Sequence, residues 1–394
     1  MTRVFEDLSR SLVAFEQDST LVCVVEMSQS SWLVASLAPG VARRPLKKLD
    51  PDAEALGKLV ERWRGESERA VGRPIARVVV AYEAGRDGFW LARWLRARGL
   101  EAYVMHAASI AVSQEHRRPK TDRLDTQLLM RSLLGWLRGE ADHCKMCQIP
   151  TEQEEDARRA GREREALMKD RTRLVNRMKS ILTLAGVRGF NPALAKAKAA
   201  LAAVRTPGGE PLGVNAMAEL ERQMERLALV RVQIKALASG RAERVAANPS
   251  AQARVMIEQL SQVFGLGVET AELLTVEVFV RALRDQRAVA RFVGLTGSPN
   301  ESGGRRREKG LARSGSSRVR HHLIQLAWRL VRFQPDCELV QWFARRTAGA
   351  PAKVRKTMIV ALARKLVIAL WRMATTGVIP DGLRLHPAVE AAAA

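Results

Sequence analysis

Residues 77–82 read RVVVAY, an almost unbroken apolar run that contains three consecutive β-branched valines. Such a run predicts a strand buried on both faces, which is typical of the parallel part of an α/β sheet. Residues 21–25 form a similar apolar run, and residues 31–37 and 41–49 follow it as further strand-like segments. Residues 21–49 therefore predict an antiparallel meander of three strands that precedes the 77–82 strand.

Helical and strand patterns alternate after this meander. Apolar spacing predicts helices over residues 53–63, 89–98 and 122–137, and residues 101–105 predict one more short strand. Three strands followed by alternating helix and strand is the order of a ribonuclease-H-like domain. We therefore predict an α/β domain of this class for residues 1–150.

The chain carries a large excess of positive charge. Its 394 residues include 65 Lys and Arg against 42 Asp and Glu, so the formal net charge is +23. A hydrophobic fraction of 47% is that of an ordinary globular protein, which excludes a disordered basic tail. Because a charge of this size repels itself unless a polyanion neutralises it, nucleic acid is the predicted partner. An anionic membrane surface is the alternative.

The sequence has no targeting or membrane-spanning pattern. Residues 1–18 lack the apolar centre of a secretory signal, and the apolar segment 358–371 is short and interrupted by Arg364 and Lys365. Four cysteines are too few for a disulfide framework in a chain of this length. The motif HCxxC at residues 143–147 is half of a zinc site without a second half. We expect a soluble intracellular protein with no membrane partner.

The middle of the chain changes in composition. Residues 151–184 are dense in charge and almost free of Gly and Pro, which predicts a long exposed helix with ion pairs between successive turns. Residues 186–215 are rich in Gly, Pro and Ala, and residues 217–238 have the apolar spacing of a second helix. Two such helices joined by a loop predict a coiled-coil arm over residues 151–255, which would act as a spacer or in dimerisation.

We predict a mainly helical domain for residues 256–394. Gly265 and Gly267 form a Gly-x-Gly turn of the helix-hairpin-helix type, whose backbone amides can hold a DNA phosphate. An ordinary corner between two helices is the alternative. Residues 318–331 and 353–373 predict two further amphipathic helices.

Residues 302–310 read SGGRRREKG and place one hydroxyl next to a block of cations. The two glycines carry no Cβ, so a bulky partner can approach the backbone closely. Arginine has a planar fork of donors that suits phosphate oxygens. Ser302 could therefore attack a phosphodiester or simply contact one. A flexible basic loop with an incidental serine is the alternative.

Four acids stand where predicted strands end or a predicted helix begins. Glu26 follows the first strand, Glu83 follows the 77–82 strand, and Asp122 and Asp125 share one face of a first helical turn. Carboxylates can crowd together only if a positive charge compensates them. Mg²⁺ binds through oxygen ligands, and two such ions can hold the attacking and leaving oxygens of a phosphodiester. Each acid also has a purely structural alternative. Asp122 and Asp125 are favourable in a first helical turn, and Glu26 and Glu83 could be ordinary surface residues that follow strands.

The chain resembles the insertion sequence 110 family of transposases. The segments EMS at residues 26–28, YEAG at 82–85 and PKTDRLD at 119–125 resemble the family's RuvC-like domain. The Ser-Gly-Gly block at 302–304, with Gly315 and the segment RVRHHL at 318–323, resembles its serine-bearing C-terminal domain. The similarity extends over nearly the whole chain in the same order.

This resemblance implies a joint catalytic apparatus. By the motif match, Glu26, Glu83, Asp122 and Asp125 would hold Mg²⁺, and Ser302 would attack the scissile phosphate to form a covalent phosphoserine link. Members of the family use a structured non-coding RNA, the bridge RNA, as a guide that pairs with target and donor DNA. They act as homodimers that join into tetramers. We therefore expect a bacterial, cytoplasmic and nucleoid-associated protein.

One position departs from the family pattern, because Glu26 stands where the family usually has Asp. Glutamate keeps the charge but adds a methylene. Ser302 is preferred over Ser298, Ser314, Ser316 and Ser317 because it alone begins the Ser-Gly-Gly-Arg pattern.

A set of cations and glycines is predicted to contact nucleic acid: Arg305, Arg306, Arg307, Lys309, Lys120, Arg318, Arg320, Gly265 and Gly267. Two other functions stay open. One is a metal-dependent junction nuclease that uses water as the nucleophile, and the other is a non-catalytic nucleic-acid-packaging protein.

Overall fold

The computed structural model describes residues 8–110, 122–140, 143–248, 250–302, 305–312 and 314–386. The chain divides into two units, Met1–Glu152 and Gln153–Ala394. The predicted division of the second unit into an arm over 151–255 and a domain over 256–394 stays a prediction.

The first unit contains a five-stranded sheet. Its strands are β1 Thr20–Met27, β2 Trp32–Leu37, β3 Leu46–Leu49, β4 Arg77–Glu83 and β5 Glu101–Met105, in the order β3-β2-β1-β4-β5. The first three pair antiparallel as the predicted meander. β1 pairs parallel with β4, and β4 pairs parallel with β5. The prediction of a mixed α/β first domain is confirmed.

Helices cover both faces of this sheet. They are α1 Ala53–Val71, α2 Trp90–Arg96 and α3 Asp122–Leu137. Leu21, Cys23 and Val25 of β1 pack against α1 and α2, whereas the alternate residues Val22 and Val24 pack against α3. Both sets are fully buried. Burial of β1 and β4 on two faces explains why their sequences read as continuous apolar runs.

Among the boundaries that differ from the prediction, those of α1 and β3 have a clear local reason. α1 continues to Val71, and Gly72 then ends it in the left-handed conformation at φ 70°, with its amide donating to the Glu68 carbonyl. Glycine adopts this conformation without a Cβ clash. β3 begins only at Leu46, directly after Pro45, whose nitrogen has no hydrogen to donate to a ladder.

Two long helices dominate the first part of the second unit. The elements are α4 Glu152–Asp156, α5 Arg159–Leu184, α6 Ala197–Leu201, α7 Val214–Ser239 and α8 Arg241–Ala246. Met178 and Leu182 of α5 pack with Leu220, Met224 and Leu227 of α7. The predicted pair of helices is therefore present, and the coiled-coil assignment stays a prediction.

The remainder of the second unit is a helical body. Its elements are α9 Ala251–Ser261, α10 Val268–Leu274, a π-helical turn Thr275–Phe279, α11 Gln286–Phe292, α12 Ser317–Phe333, α13 Glu338–Thr347 and α14 Ala352–Thr376. Leu366 and Leu370 of α14 lie in its core together with Leu323 of α12. The prediction of a mainly helical C-terminal region is confirmed. A two-stranded antiparallel ribbon, β6 Gly297–Ser302 and β7 Arg305–Leu311, was not predicted.

Membrane and disulfide features can be checked against the same structure. Within the described ranges, no helix combines the length and apolar character needed to cross a bilayer. None of the four cysteines, all of which lie in the described ranges, forms a disulfide. Burial raises the pKa of Cys144 to about 12, so this thiol is protonated at neutral pH.

Candidate active site

The sheet brings two of the four predicted acids side by side. Val25 of β1 is in register with Tyr82 of β4, so the next residues, Glu26 and Glu83, stand at the carboxyl ends of neighbouring parallel strands, about 4.8 Å apart in the ladder. Because side chains alternate along a strand, both acids belong to the face that packs against α3. Glu26 is half-buried and Glu83 is exposed.

The other two acids lie at the beginning of α3, on the same face of the sheet. Asp122 is exposed and Asp125 is half-buried, and both belong to the first helical turn. Leu129 and Leu133 follow Asp125 by one and about two helical turns, so they lie on the same side of the helix as the acids and are buried against the sheet. The acids thus form two pairs, one across the neighbouring strands β1 and β4 and one on α3, which packs against both strands. In the part of the chain that the structure describes, no three His, Cys, Asp or Glu side chains are gathered into a metal-binding group.

A basic cleft accompanies Asp125. The cleft has a volume of about 620 Å³ and lies between α3 and the strands β2 and β3. Arg44, Arg123, Arg131 and Arg138 are among the residues that line it. Guanidinium groups beside a carboxylate suit a phosphodiester that must approach an acidic site. Lys120, which precedes α3 in the sequence, lies outside the described residues.

Ser302 is the last residue of β6 and is paired with Arg305, the first residue of β7. Glu301 is paired with Arg306, and Asn300 with Arg307. Only residues 303 and 304, which lie outside the described residues, separate the two strands. Ser302 therefore lies at the end of a hydrogen-bonded ribbon, and the cations 305–307 and 309 belong to the partner strand.

The neighbouring serines include one with a structural role. The Ser316 hydroxyl accepts a hydrogen bond from the Val319 amide at 3.3 Å and caps α12. Gly315 precedes it at φ 84°, where a Cβ would lie 2.5 Å from the Gly294 nitrogen. The N-terminus of α12 is therefore tightly packed, and Ser316 is its N-cap residue.

Two predicted nucleic-acid contacts have protein partners. Arg318 forms ion pairs with Glu165 and with Glu277, the latter at 2.7 Å. Arg320 donates hydrogen bonds to the carbonyls of Gly294 and Ser314, both at 3.3 Å. Their contact with nucleic acid stays a prediction. In such a contact, each arginine would have to bind a phosphate as well as its protein partners.

Gly265 and Gly267 form the corner between α9 and α10. Gly265 is left-handed at φ 86°, and Gly267 is the residue before α10. The amide of Phe264 donates to the Arg384 carbonyl, and that of Leu266 donates to the Val263 carbonyl. Two amides of this corner are thus already used within the protein. Phosphate binding at Gly265 and Gly267 stays a prediction.

Buried Glu277 is an acid that the sequence analysis did not identify. It lies on the π-helical turn with a side chain only 10% exposed, and it accepts hydrogen bonds from Arg162 of α5 at 3.0 and 3.1 Å and from Arg318 of α12 at 2.7 Å. Burial raises the pKa of Glu277, but the hydrogen bonds and charges of Arg162 and the charge of Arg318 outweigh burial, so the net pKa is lowered. This carboxylate ties the beginning of α5 to α12.

We expect Glu277→Gln to lower the free energy of unfolding by about 2 kcal/mol. This decrease is smaller than that for a fully buried ion pair, because the Arg162 side chain is half exposed. A carboxyl group whose folded pKa is lowered stabilises the protein above its unfolded pKa. The difference from the wild type should therefore shrink as the pH falls below about 4.3. Thermal melting between pH 3.5 and 7 measures both effects.

Glu219→Gln provides the matched control, since Glu219 pairs with Arg177 on the exposed surface of α5 and α7. It should leave the melting temperature almost unchanged. Equal melting of Glu277→Gln and the wild type at pH 7 would contradict the role of Glu277.

Comparisons with known proteins decide the family. Residues 257–340 match the family model described as Transposase IS116/IS110/IS902 family. Residues 44–186 match a second model, described as Transposase, for the DEDD region of IS110 proteins. Over 368 residues the chain is 38% identical to "Putative transposase y4rJ" of Sinorhizobium fredii (strain NBRC 101917 / NGR234), and the alignment covers 91% of this chain and 92% of that protein. The chain belongs to the IS110 family of transposases.

The two matched regions of this IS110 family transposase contain most of the predicted catalytic residues. Glu83, Asp122 and Asp125 lie in the 44–186 region, and Ser302 lies in the 257–340 region. Glu26 precedes both regions. The resemblance found from the sequence is confirmed at the level of the family, and its catalytic residues remain predictions.

Proposed function

We propose that this IS110 family transposase cuts and rejoins DNA through a phosphoserine intermediate formed by Ser302. The observation that carries the proposal is the position of Ser302 at the end of the β6–β7 ribbon, opposite Arg305 and within a region that matches the transposase family. The proposal requires a DNA backbone to reach the Ser302 hydroxyl at this end of the ribbon, where four cations belong to the partner strand. An irregular loop would not hold Ser302 and the β7 cations in a fixed register relative to each other.

In the proposed reaction, the Ser302 oxygen bonds to the scissile phosphorus while the bond from phosphorus to one deoxyribose oxygen breaks. The serine proton passes to a base, and the leaving oxygen takes up a proton. A hydroxyl of a second DNA end then attacks the phosphoserine, which forms a new phosphodiester and restores the serine. Because one phosphoester replaces another in each step, no external energy source is required. Arg305, Arg306, Arg307 and Lys309 would bind the non-bridging phosphate oxygens.

Glu26, Glu83, Asp122 and Asp125 are proposed to hold Mg²⁺. The donor set fits this ion, because it consists only of carboxylate oxygens. The placement of all four on β1, β4 and α3, at one face of the sheet, supports the proposal. When bound, Mg²⁺ would lower the cost of the negative charge that develops on the phosphate. The order of the strands supports a RuvC-like, ribonuclease-H-like assignment of this unit.

We further propose that a structured non-coding RNA guides the choice of DNA, and that homodimers assemble into tetramers on it. The net charge of +23 supports binding of more than one nucleic acid. Base pairing by a guide leaves the protein to hold the nucleic-acid backbones, by analogy with other guided systems.

Incubation of the purified transposase with its flanking-region RNA and with DNA carrying the element junction tests this function. With Mg²⁺ we expect a protein–DNA adduct that survives denaturing electrophoresis and disappears after protease treatment. Omission of Mg²⁺ or of the RNA should abolish the adduct. Cleaved DNA without an adduct would instead identify a junction nuclease that uses water. Binding without any cleavage under all conditions would support the packaging function.

A further inference from the structure

The end of α13 and the beginning of α14 belong to a stretch without acidic residues. Residues 339–380 contain no Asp or Glu, although the whole chain has 42 acids in 394 residues, or about one in nine. The same 42 residues contain eight Lys and Arg. A sequence of this composition has no local means of neutralising its charge.

Five of these cations form a surface that we call the α13–α14 patch: Arg345, Arg346, Lys353, Arg355 and Lys356. All five are exposed. Within the described ranges, which include all of residues 339–380, none of the five has a carboxylate at ion-pair distance. Some exposed cations of the same unit are neutralised, as Lys169 is by Glu165 and Arg173 by Asp170. The patch is therefore a concentration of uncompensated positive charge.

Rigid elements hold the α13–α14 patch in place. Phe343 and Thr347 are buried on the inner side of α13, and Ile359 and Leu362 are buried on the inner side of α14. Gly349, at φ 67°, turns the chain between the two helices. Lys365, two turns further along α14, lies over the Trp342 ring at 4.8 Å. The cations are thus presented by a preorganised corner, which lowers the entropic cost of binding.

The composition of the patch selects the kind of polyanion. Single-stranded nucleic acids bind through aromatic side chains on which bases stack, and residues 344–357 contain no aromatic residue. A helix that lies on a membrane buries an apolar face in addition to its basic charge, whereas Val354 is the one large hydrophobic residue exposed between residues 344 and 357, all of which are described. A duplex backbone requires only regularly placed cations. Lys353 and Arg364 are 11 residues apart on α14, which extends the basic surface over about 16 Å.

We propose that the α13–α14 patch binds the phosphate backbone of duplex DNA, independently of sequence, away from the phosphate that Ser302 attacks. DNA is the favoured duplex because the chain belongs to a family of DNA transposases. The proposal rests on the proposed function only in that this protein processes DNA. The patch anchors a flanking duplex and so raises the affinity of the transposase for its substrate.

Binding of a random-sequence 30-base-pair DNA duplex to the full chain tests this proposal, with fluorescence anisotropy measured from 50 to 200 mM salt. The variant Lys353→Gln/Arg355→Gln/Lys356→Gln should bind at least about 10-fold more weakly at 100 mM salt, and its salt slope should fall by up to about 2.7, or about 0.9 per lost phosphate contact. The control Arg43→Gln/Arg62→Gln/Arg64→Gln removes three cations that pair with neighbouring glutamates. It should change affinity and slope far less.

Two further ligands identify the kind of partner, and a charge-conserving variant shows whether a loss of binding is due to misfolding. An RNA duplex of equal length and vesicles of anionic phospholipid are titrated with the same variants. Wild-type DNA affinity in the patch variant, or a loss confined to RNA or vesicles, would overturn the proposal. The charge-conserving variant Lys353→Arg/Arg355→Lys/Lys356→Arg should retain DNA binding, and its failure to do so would also overturn it. Ser302→Ala should bind the random duplex like the wild type, because this assay does not depend on the nucleophile. The binding proposal can therefore be tested even if the catalytic proposal fails.

Discussion

Replacement of Ser302 by alanine is expected to abolish both DNA strand cleavage and the covalent protein–DNA adduct. Alanine lacks the oxygen that would bond to phosphorus, and removal of a nucleophile costs at least about 10⁴-fold in rate. Binding of DNA should be unchanged, because the cations of β7 and of the α13–α14 patch remain. Cleavage and adduct are quantified on the same denaturing gel, with DNA in excess and with all protein bound.

Two neighbouring serines give matched controls for this experiment. Ser298→Ala lies on the same strand β6 and should leave the rate within a few-fold of the wild type. Ser316→Ala removes the cap of α12 and should cost about 1 kcal/mol of stability while the adduct still forms. An adduct of normal yield in Ser302→Ala, or its loss in Ser298→Ala alone, would show that another residue is the nucleophile.

Conversion of Asp122 or Asp125 to asparagine is expected to lower the cleavage rate by at least about 10³-fold in the presence of Mg²⁺. The amide keeps the shape of the side chain but loses the charge that holds the ion, and a bound metal contributes several kcal/mol to the stabilisation of charge in the transition state. Duplex binding should be equal or slightly stronger, since a negative charge near the DNA has been removed. Because the cleavage rate should fall while the duplex affinity does not, the two measurements distinguish a loss of catalysis from a loss of DNA binding.

The metal site has its own readout and control. Mg²⁺ should raise the melting temperature of the wild type, because ligands that bind the folded state stabilise it, and Asp122→Asn should reduce this shift. Glu61→Gln removes an exposed acid of α1 and should change neither property. Glu26→Asp should remain active, whereas Glu26→Gln should not. Mg²⁺-dependent cleavage at the wild-type rate in Asp122→Asn, Asp125→Asn and Glu26→Gln would rule out this set of ligands.

The catalytic candidates differ in how far sequence could locate them. Glu26 and Glu83 follow apolar strands whose parallel pairing brings strand ends together, so their proximity could be predicted from the order of elements. The β6–β7 ribbon could not, because its sequences GSPNES and RRREKGL lack the β-branched and aromatic residues that mark strands. The two strands of this ribbon form through backbone pairing and not through residues with a preference for strands.

Local sequence by itself determined the α/β class of the first unit, the long helices and the excess of positive charge, since apolar spacing and composition act within a few residues of one another. Tertiary structure alone decided the contacts of Glu277, which joins Arg162 and Arg318 across 115 and 41 residues of sequence. It also decided which cations are neutralised and which remain available on the α13–α14 patch. An ion pair depends on the distance between side chains in space, and charges far apart in sequence meet only after the helices have packed.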